Sequence, residues 1–331
     1  MKTALCETLN IDIPIVQAPI GGPAVPRLAA AVSSAGGMGS IAMTGRGAKI
    51  AQQYINEVRA LTDNPFAAGF LLSYPYEDEL KICLEAQIPV ISFFWGNPAH
   101  LIDRVHDSGA LAILSVGSVE EARRAADMGI DIIVAQGWEA GGHVRGQVAT
   151  LALVPTVVDA ASPTPVIAAR GIADGRGLAA ALALGAVGGW IGTRFLASEE
   201  AAVHPEYQQS VVNASASDTY YTSMFDVGWP DAPARVIRNS TVNAWENANR
   251  PPTGERPNEG DILATDKNGY EVLRYQPVAA TPDYQGDIEA FPLWAGQCVS
   301  QVEEVRSAAQ IIEEMNQEAE TILRDLAGSA R

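Results

Sequence analysis

The chain has 331 residues, 47% hydrophobic and only 18% charged, with 30 Gly and 20 Pro, a mixture that supports a sizeable core and excludes an intrinsically disordered chain or a coiled coil. Its 22 Lys+Arg against 39 Asp+Glu give a net charge of -17, which argues against nucleic acid or an anionic membrane surface as a partner, because both require clustered basic residues. The three cysteines, Cys6, Cys83 and Cys298, are far apart and lack C-x-x-C spacing, pointing away from a zinc or other metal site and toward a reducing cytoplasm.

The chain meets Glu7 and Asp12 before an apolar run of signal-peptide length can form, so no export signal is expected. From residue 15 to about 212, a short run rich in Val, Ile and Ala is followed repeatedly by Gly or Pro and then by an amphipathic helical stretch. The strand candidates are 15–20, 38–43, 66–72, 90–95, 111–116, 132–137, 166–171 and 187–193. Between them lie helical patterns such as 118–129, where Ser118 with Glu121 makes a capping-box signature and Gly129 a stop. Continuous apolar strands joined by helices mark a parallel sheet buried on both faces, and eight such units are the count for a closed (β/α)8 TIM barrel. An open doubly wound sheet would place G-x-G-x-x-G after its first strand, where this chain has Pro19-Ile20-Gly21-Gly22-Pro23. Residues 177–193 are uncharged but carry five glycines and fall short of the roughly 18 apolar residues of a transmembrane helix; they read as helix, turn and buried strand.

Beyond residue 210 the regular alternation stops and Pro, Asn, Gly, Tyr and Trp become frequent. The aromatic content argues for order, so residues 213–300 are expected to form a loop-rich excursion over the barrel mouth. In 301–331, Val302, Val305, Ala309, Ile312, Met315, Ala319, Ile322 and Leu326 recur at three- and four-residue spacing, which predicts an amphipathic C-terminal helix. The barrel itself is assigned to residues 11–212.

Barrel active sites are built at the carboxyl ends of the strands, and the loops after the seventh and eighth strands are the usual phosphate cradle. There the chain reads Ala168-Ala169-Arg170-Gly171-Ile172-Ala173-Asp174-Gly175 and Gly188-Gly189-Trp190-Ile191-Gly192-Thr193-Arg194-Phe195. Small residues let backbone N–H groups approach phosphate oxygens, with a helix N-terminus behind them, although glycines also serve tight turns. After the sixth strand stands Gln136-Gly137-Trp138-Glu139-Ala140-Gly141-Gly142-His143. His100 and His106 fall on an outer helix and His204 precedes a proline, which leaves His143 as the histidine on a carboxyl-terminal loop. Glu139 fits an acid, a hydrogen-bond partner or a helix cap.

The Ala18-Pro19-Ile20 start, the Gln136 to His143 segment, the Ala168 to Gly175 turn and Gly192-Thr193-Arg194-Phe195 resemble the nitronate monooxygenase family, formerly called 2-nitropropane dioxygenases, which are FMN-dependent barrel enzymes. The resemblance covers residues 11 to about 212, and Phe225-Asp226-Val227-Gly228-Trp229-Pro230 with Arg238-Asn239-Ser240-Thr241 extends it to a bacterial branch. It implies that Ala18, Pro19 and Ile20 lie against the isoalloxazine, that Gln136 hydrogen-bonds the flavin, and that Gly141 and Gly142 line its pocket. It further implies that Gly171, Trp190, Ile191, Gly192 and Thr193 belong to the phosphate end and that His143 is the catalytic residue. Three departures stand out: Ile20 where the family often has Met, Ala68-Gly69-Phe70 where many members have Gly-x-Asn, and Arg170-Gly171 where the family has Gly-Gly. A side-chain amide contact to FMN is therefore expected to be missing on the third strand, where Gly69 is left beside the cofactor, and Arg170 either reaches the FMN phosphate or points away into the helical layer or solvent.

The implied reaction is oxidation of an alkyl nitronate by FMN and O2 to a carbonyl compound and nitrite, with His143 as base for a neutral nitroalkane. The alternatives are an NAD(P)H-dependent flavin reductase of quinones or enoyl thioesters, a non-catalytic FMN-binding or scaffold protein, and a flavin-free phosphate-sugar enzyme. A small-molecule substrate, no metal and a monomeric or homodimeric cytoplasmic protein complete the expectation.

Overall fold

A computed structural model of the chain describes residues 1–329. Eight parallel strands form the central sheet: β1 (Ile15–Gln17), β2 (Gly39–Ala42), β3 (Phe66–Leu71), β4 (Val90–Phe94), β5 (Leu111–Val116), β6 (Ile132–Gln136), β8 (Val166–Ala169) and β9 (Gly188–Ile191), with the two-residue β7 (Gly142–His143) outside it. The order β1-β9-β8-β6-β5-β4-β3-β2 brings the edges together, and a parallel bridge between Val16 and Met38 joins them. The result is a TIM barrel, as the strand count predicts.

Alternation divides the strand residues between two cores, because successive side chains point to opposite faces. Val16, Met38, Ala67, Val90, Ile113, Ile132, Val134, Ile167, Ala169 and Trp190 fill the lumen, whereas Ile41, Ala68, Phe93, Leu114, Ile133, Ala168 and Ile191 face the helical layer. The helix Ala4–Leu9, which lies outside the expected barrel span, places Leu5, Cys6 and Leu9 in the lumenal cluster. A Cβ on Gly188 would lie 2.4 Å from Leu5 Cδ2, so the barrel's amino end is closed by this helix at a position only glycine admits.

Most strands end earlier than the apolar runs suggest. β1 stops at Gln17 rather than residue 20, and β9 ends at Ile191, because the chain then leaves the sheet to build the mouth. Ser118 caps the helix Val119–Asp127 by accepting from Glu121 N at 3.2 Å, but the Glu121 carboxylate takes Gly117 N at 2.8 Å instead of closing the box on Ser118. The C-terminal helix spans Ala308–Ser329. Val302 is buried ahead of it, while Val305 and Leu326 are exposed. The buried face is Ala308, Ile311, Ile312, Met315 and Ala319, one step out of phase with the expected register at its start. It packs on the helix Gly175–Ala183, where a Cβ on Gly175 would lie 2.5 Å from Ala319 N and 2.7 Å from Met315 O.

Residues 213–300 hold more regular structure than their composition suggests. β10 (Thr219–Thr222) pairs antiparallel with β11 (Ala234–Ile237), and β11 pairs with β7. A second small sheet has the order β13 (Glu271–Leu273), β12 (Ile262–Thr265), β14 (Gln285–Gly286). The helix Ser240–Asn247 lies between them in sequence, capped by Asn239, whose side chain accepts from Val242 N. No helix among the described residues is long and apolar enough to cross a membrane.

Candidate active site

A cavity of about 880 Å³ opens at the carboxyl end of the barrel, within the usual size range of small-molecule and cofactor sites. Ala18, Pro19, Ile20, Gly69, Gly141, Gly142, His143, Arg170, Trp190, Gly192 and Thr193 all line it. Gly69 faces inward with no side chain, and a Cβ there would lie 2.4 Å from Pro19. Ser92 and Ser115, the inward residues of the next two strands, also line the cavity, so this side of its floor is made of small groups.

Three expected residues stand off the cavity wall. Gln136 is buried at the top of β6, where its Nε2 donates to His143 O at 3.2 Å and its Oε1 accepts from Arg145 N at 2.7 Å. Both ends of the amide therefore fix the loop that carries the histidine. Ile191 sends its side chain into the helical layer. Gly171, at φ +70°, directs its N–H toward the sulfur of Cys298. The N-terminus of the helix Gly175–Ala183, expected behind a phosphate, is already occupied by carboxylates: Asp174 accepts from Gly177 N at 3.0 Å and Glu318 from Gly175 N at 2.7 Å.

Arg170 occupies the cradle. It adopts φ +90°, a conformation that costs a non-glycine residue about 1–3 kcal/mol. Its Nη1 donates to Gly141 O at 2.9 Å, while its Nε is buried without a hydrogen-bond partner. Among the described residues no carboxylate forms an ion pair with it, and burial draws its pKa down to about 10. A guanidinium so placed is a desolvated cation lacking an anion. The residues fit a flavin phosphate on this ground: the uncompensated charge of Arg170, the Gly192 backbone, whose added Cβ would lie 3.5 Å from Arg170 Nη1, and Thr193 line one wall.

His143 sits in β7, held by its pairing with Ala234. Its Nδ1 lies 3.1 Å from Ala232 O, a bond that requires the proton on Nδ1 and leaves Nε2 as an acceptor. Burial, with Arg170 nearby, pulls its pKa down to about 4 despite the opposing Ala232 bond, so the imidazole is neutral at pH 7. Trp229, Trp294 and Trp95 surround it at ring-centroid distances of 3.9, 5.2 and 5.8 Å. Arg256 anchors the loop bearing Trp229, donating to Met224 O at 2.6 Å and Asp226 at 2.7 Å. Glu139 is the helix cap of the three roles open to it, accepting from Thr150 N at 3.0 and 3.1 Å and from the Thr150 hydroxyl at 3.1 Å.

Sequence reasoning missed the segment from Trp294 to Cys298, which crosses the cradle. A Cβ on Gly141 would lie 2.3 Å from Gly296 N, Gly296 N donates to Thr193 Oγ1 at 3.0 Å, and Gln297 N donates to Glu139 O at 3.0 Å. The visible signal was the small pair Ala295-Gly296 directly after a tryptophan in a region otherwise rich in large residues. Among the described residues no group of three or more His, Cys, Asp or Glu is placed to hold a metal ion.

A TIM barrel that turns a neutral histidine and a buried guanidinium to one cofactor-sized cavity at the carboxyl ends of its strands has the build of a barrel enzyme. The family model described as nitronate monooxygenase matches residues 2–81 and 69–318, and the chain belongs to that family of flavin-dependent oxidoreductases. A relative from Mycobacterium tuberculosis, a (3aS,4S,5R,7aS)-5-hydroxy-7a-methyl-1-oxo-octahydro-1H-indene-4-carboxyl-CoA dehydrogenase, is 36% identical over 76% of this chain and 70% of its own. A nitronate monooxygenase from Paraburkholderia phytofirmans is 30% identical over 98% of this chain and 97% of its own. The solved structure of FabK from Thermotoga maritima superposes with a TM-score of 0.83 at 32% identity, covering 99% of each chain.

Proposed function

We propose that the protein binds FMN and oxidises alkyl nitronates with O2 to a carbonyl compound and nitrite. The observation that carries this reading is the pairing, in one cavity, of a neutral His143 with Nε2 free and a buried Arg170 without a counter-ion. Arg170, Gly192 and Thr193 would hold the phosphate, while Ala18, Pro19, Ile20 and Gly69 would lie along the ring system, with Gly141, Gly142 and Trp190 closing the wall. Gln136 and Gly171 act by positioning the loops beside it. When bound, FMN supplies the one-electron chemistry between nitronate and O2.

The protein's own part is to attract, orient and shield. In a chain of net charge -17, long-range steering opposes an anionic substrate, so its attraction is local to the cavity. The three tryptophans pack around His143 and reduce its contact with water. With a pKa near 4 the imidazole is available as an acceptor at neutral pH but is a weak base, because proton abstraction is most efficient when the pKa lies near the working pH. A preformed nitronate needs no proton removal and is the better substrate on this argument.

The test is the absorbance of the purified protein followed by anaerobic addition of propionate 3-nitronate, a neutral nitroalkane, NADH and NADPH. Bound FMN bleached by the nitronate is the expected result; bleaching by NADH or NADPH alone replaces this reading with the flavin reductase, and no bound flavin removes it. His143→Asn should lower turnover of neutral nitroalkanes by about a hundredfold or more while sparing nitronates.

A further inference from the structure

We propose that the Ser92 hydroxyl donates a hydrogen bond to the flavin ring system and raises its reduction potential; this rests on the reading that FMN fills the cavity. Ser92 lies in β4, two residues after Val90, whose side chain is in the lumenal cluster, so alternation turns Ser92 inward as well. It pairs with Gly69 of β3, and the two meet Pro19 at one point of the floor. A Cβ on Gly69 would lie 2.4 Å from Pro19 and 3.2 Å from Ser92 Oγ, and all three residues line the cavity.

The hydroxyl is buried without a good acceptor. Ser92 is 4% exposed, and among the described residues its Oγ meets Ala68 O alone, at 3.5 Å. That is longer than the roughly 2.5–3.0 Å of an O–H···O bond. Buried hydroxyls are as a rule hydrogen-bonded, so one that faces a cavity in this condition calls for a partner from outside the chain. Ser40 is the internal comparison: its Oγ is also buried and unpartnered, but it does not line the cavity.

Position selects the part of FMN that Ser92 meets. In the order β8-β6-β5-β4 its strand stands three places from β8, nearly across an eight-stranded barrel from Arg170. The phosphate assigned to that arginine is therefore out of its reach. Its neighbours Pro19 and Gly69 are the residues assigned to the ring system, whose nitrogens and carbonyl oxygens are acceptors. Such an acceptor gains negative charge when the ring is reduced, and hydrogen bonds to charged groups are the stronger ones. The bond favours the reduced ring, which then takes electrons from a substrate more readily.

The experiment compares the parent with Ser92→Ala, Ser92→Thr and Ser40→Ala, each reconstituted with FMN. Flavin fluorescence on titration gives the dissociation constant, and anaerobic reduction with dithionite beside a redox dye gives the potential. Ser92→Ala should weaken oxidised FMN about 2- to 10-fold. It should weaken reduced FMN about tenfold more, which lowers the two-electron potential by about 30 mV. Ser92→Thr keeps the hydroxyl and should restore both readings, while Ser40→Ala should leave both at the parent values. Flavin-free Ser92→Ala should melt no lower than the parent, because the hydroxyl it loses has no good partner in the chain. The proposal is overturned if the potential of Ser92→Ala is unmoved or raised, as for a hydroxyl that meets water only, or if Ser92→Thr behaves like Ser92→Ala. It is equally overturned if Ser40→Ala shifts the potential as much, or if flavin-free Ser92→Ala melts lower in step with its lost affinity. Parent protein that binds no FMN removes the FMN reading and this proposal together, whereas bound FMN with an unmoved potential in Ser92→Ala removes the proposal alone.

Discussion

Replacing Arg170 with glycine separates two consequences of one residue. Among the described residues the guanidinium has a buried, unpartnered Nε and no ion-pair partner. If it holds the FMN phosphate, Arg170→Gly removes a hydrogen bond to a charged group, worth about 1.5–3 kcal/mol, or about 10- to 150-fold in affinity. The same change relieves a non-glycine residue at φ +90°, returning about 1–3 kcal/mol, against about 1 kcal/mol for the lost bond to Gly141 O. The flavin-free protein should thus be unchanged or stabilised by up to about 2 kcal/mol, a rise in Tm of a few degrees, while FMN binding weakens. Quenching of flavin fluorescence on titration gives the dissociation constant, and calorimetric melting of the flavin-free protein gives the other half. Arg170→Lys keeps a charge at the same backbone strain and should fall between parent and glycine variant in affinity. FMN binding that is unchanged or tighter in Arg170→Gly refutes the phosphate role and leaves Gly192 and Thr193 as the cradle.

Because the pKa of His143 is depressed from 6.5 to about 4, its stabilising contribution is complete above about pH 6.5 and is lost as pH falls through 4; urea unfolding at pH 7, 5.5 and 4 reads this loss. The same shift places the acid limb of kcat/KM for a neutral nitroalkane near pH 4 rather than 6.5, and a limb at 6.5 would show a solvated imidazole. Trp229→Ala removes the ring closest to His143 and should raise its pKa toward 6.5, measured by the proton NMR titration of the imidazole. Gly175→Ala drives a methyl into the backbone of the C-terminal helix at 2.5 Å and should cost about 1–3 kcal/mol or more, read as a lowered Tm with the flavin spectrum retained.

The barrel was legible because its strands are buried on both faces, so each reads as a continuous apolar run whichever residues point inward. The same property hid the strand ends: apolar residues continue past Gln17 into Pro19-Ile20 and past Ile191 into Phe195, and composition cannot mark where the chain leaves the ladder. His143 could be singled out because a glycine pair precedes it at a carboxyl-terminal loop. Its environment could not, since Ala232, Trp229 and Trp294 reach it through pairing with β11 and through a crossing segment distant in sequence.

The antiparallel pairing of β7 with β11 also bears on how such an enzyme is assembled and diversified. The histidine's main chain is paired by Ala234 and its imidazole by Ala232 O, and Gly296 closes on Thr193, so a nascent chain that has emerged only through the eighth barrel strand lacks the partners that orient His143. In recombination between relatives, the Gly142–Arg235 and His143–Ala234 register acts as the splice rule: an exchanged excursion that keeps it can bring new walls to the substrate, and one that slips by a residue turns the imidazole away from the chamber.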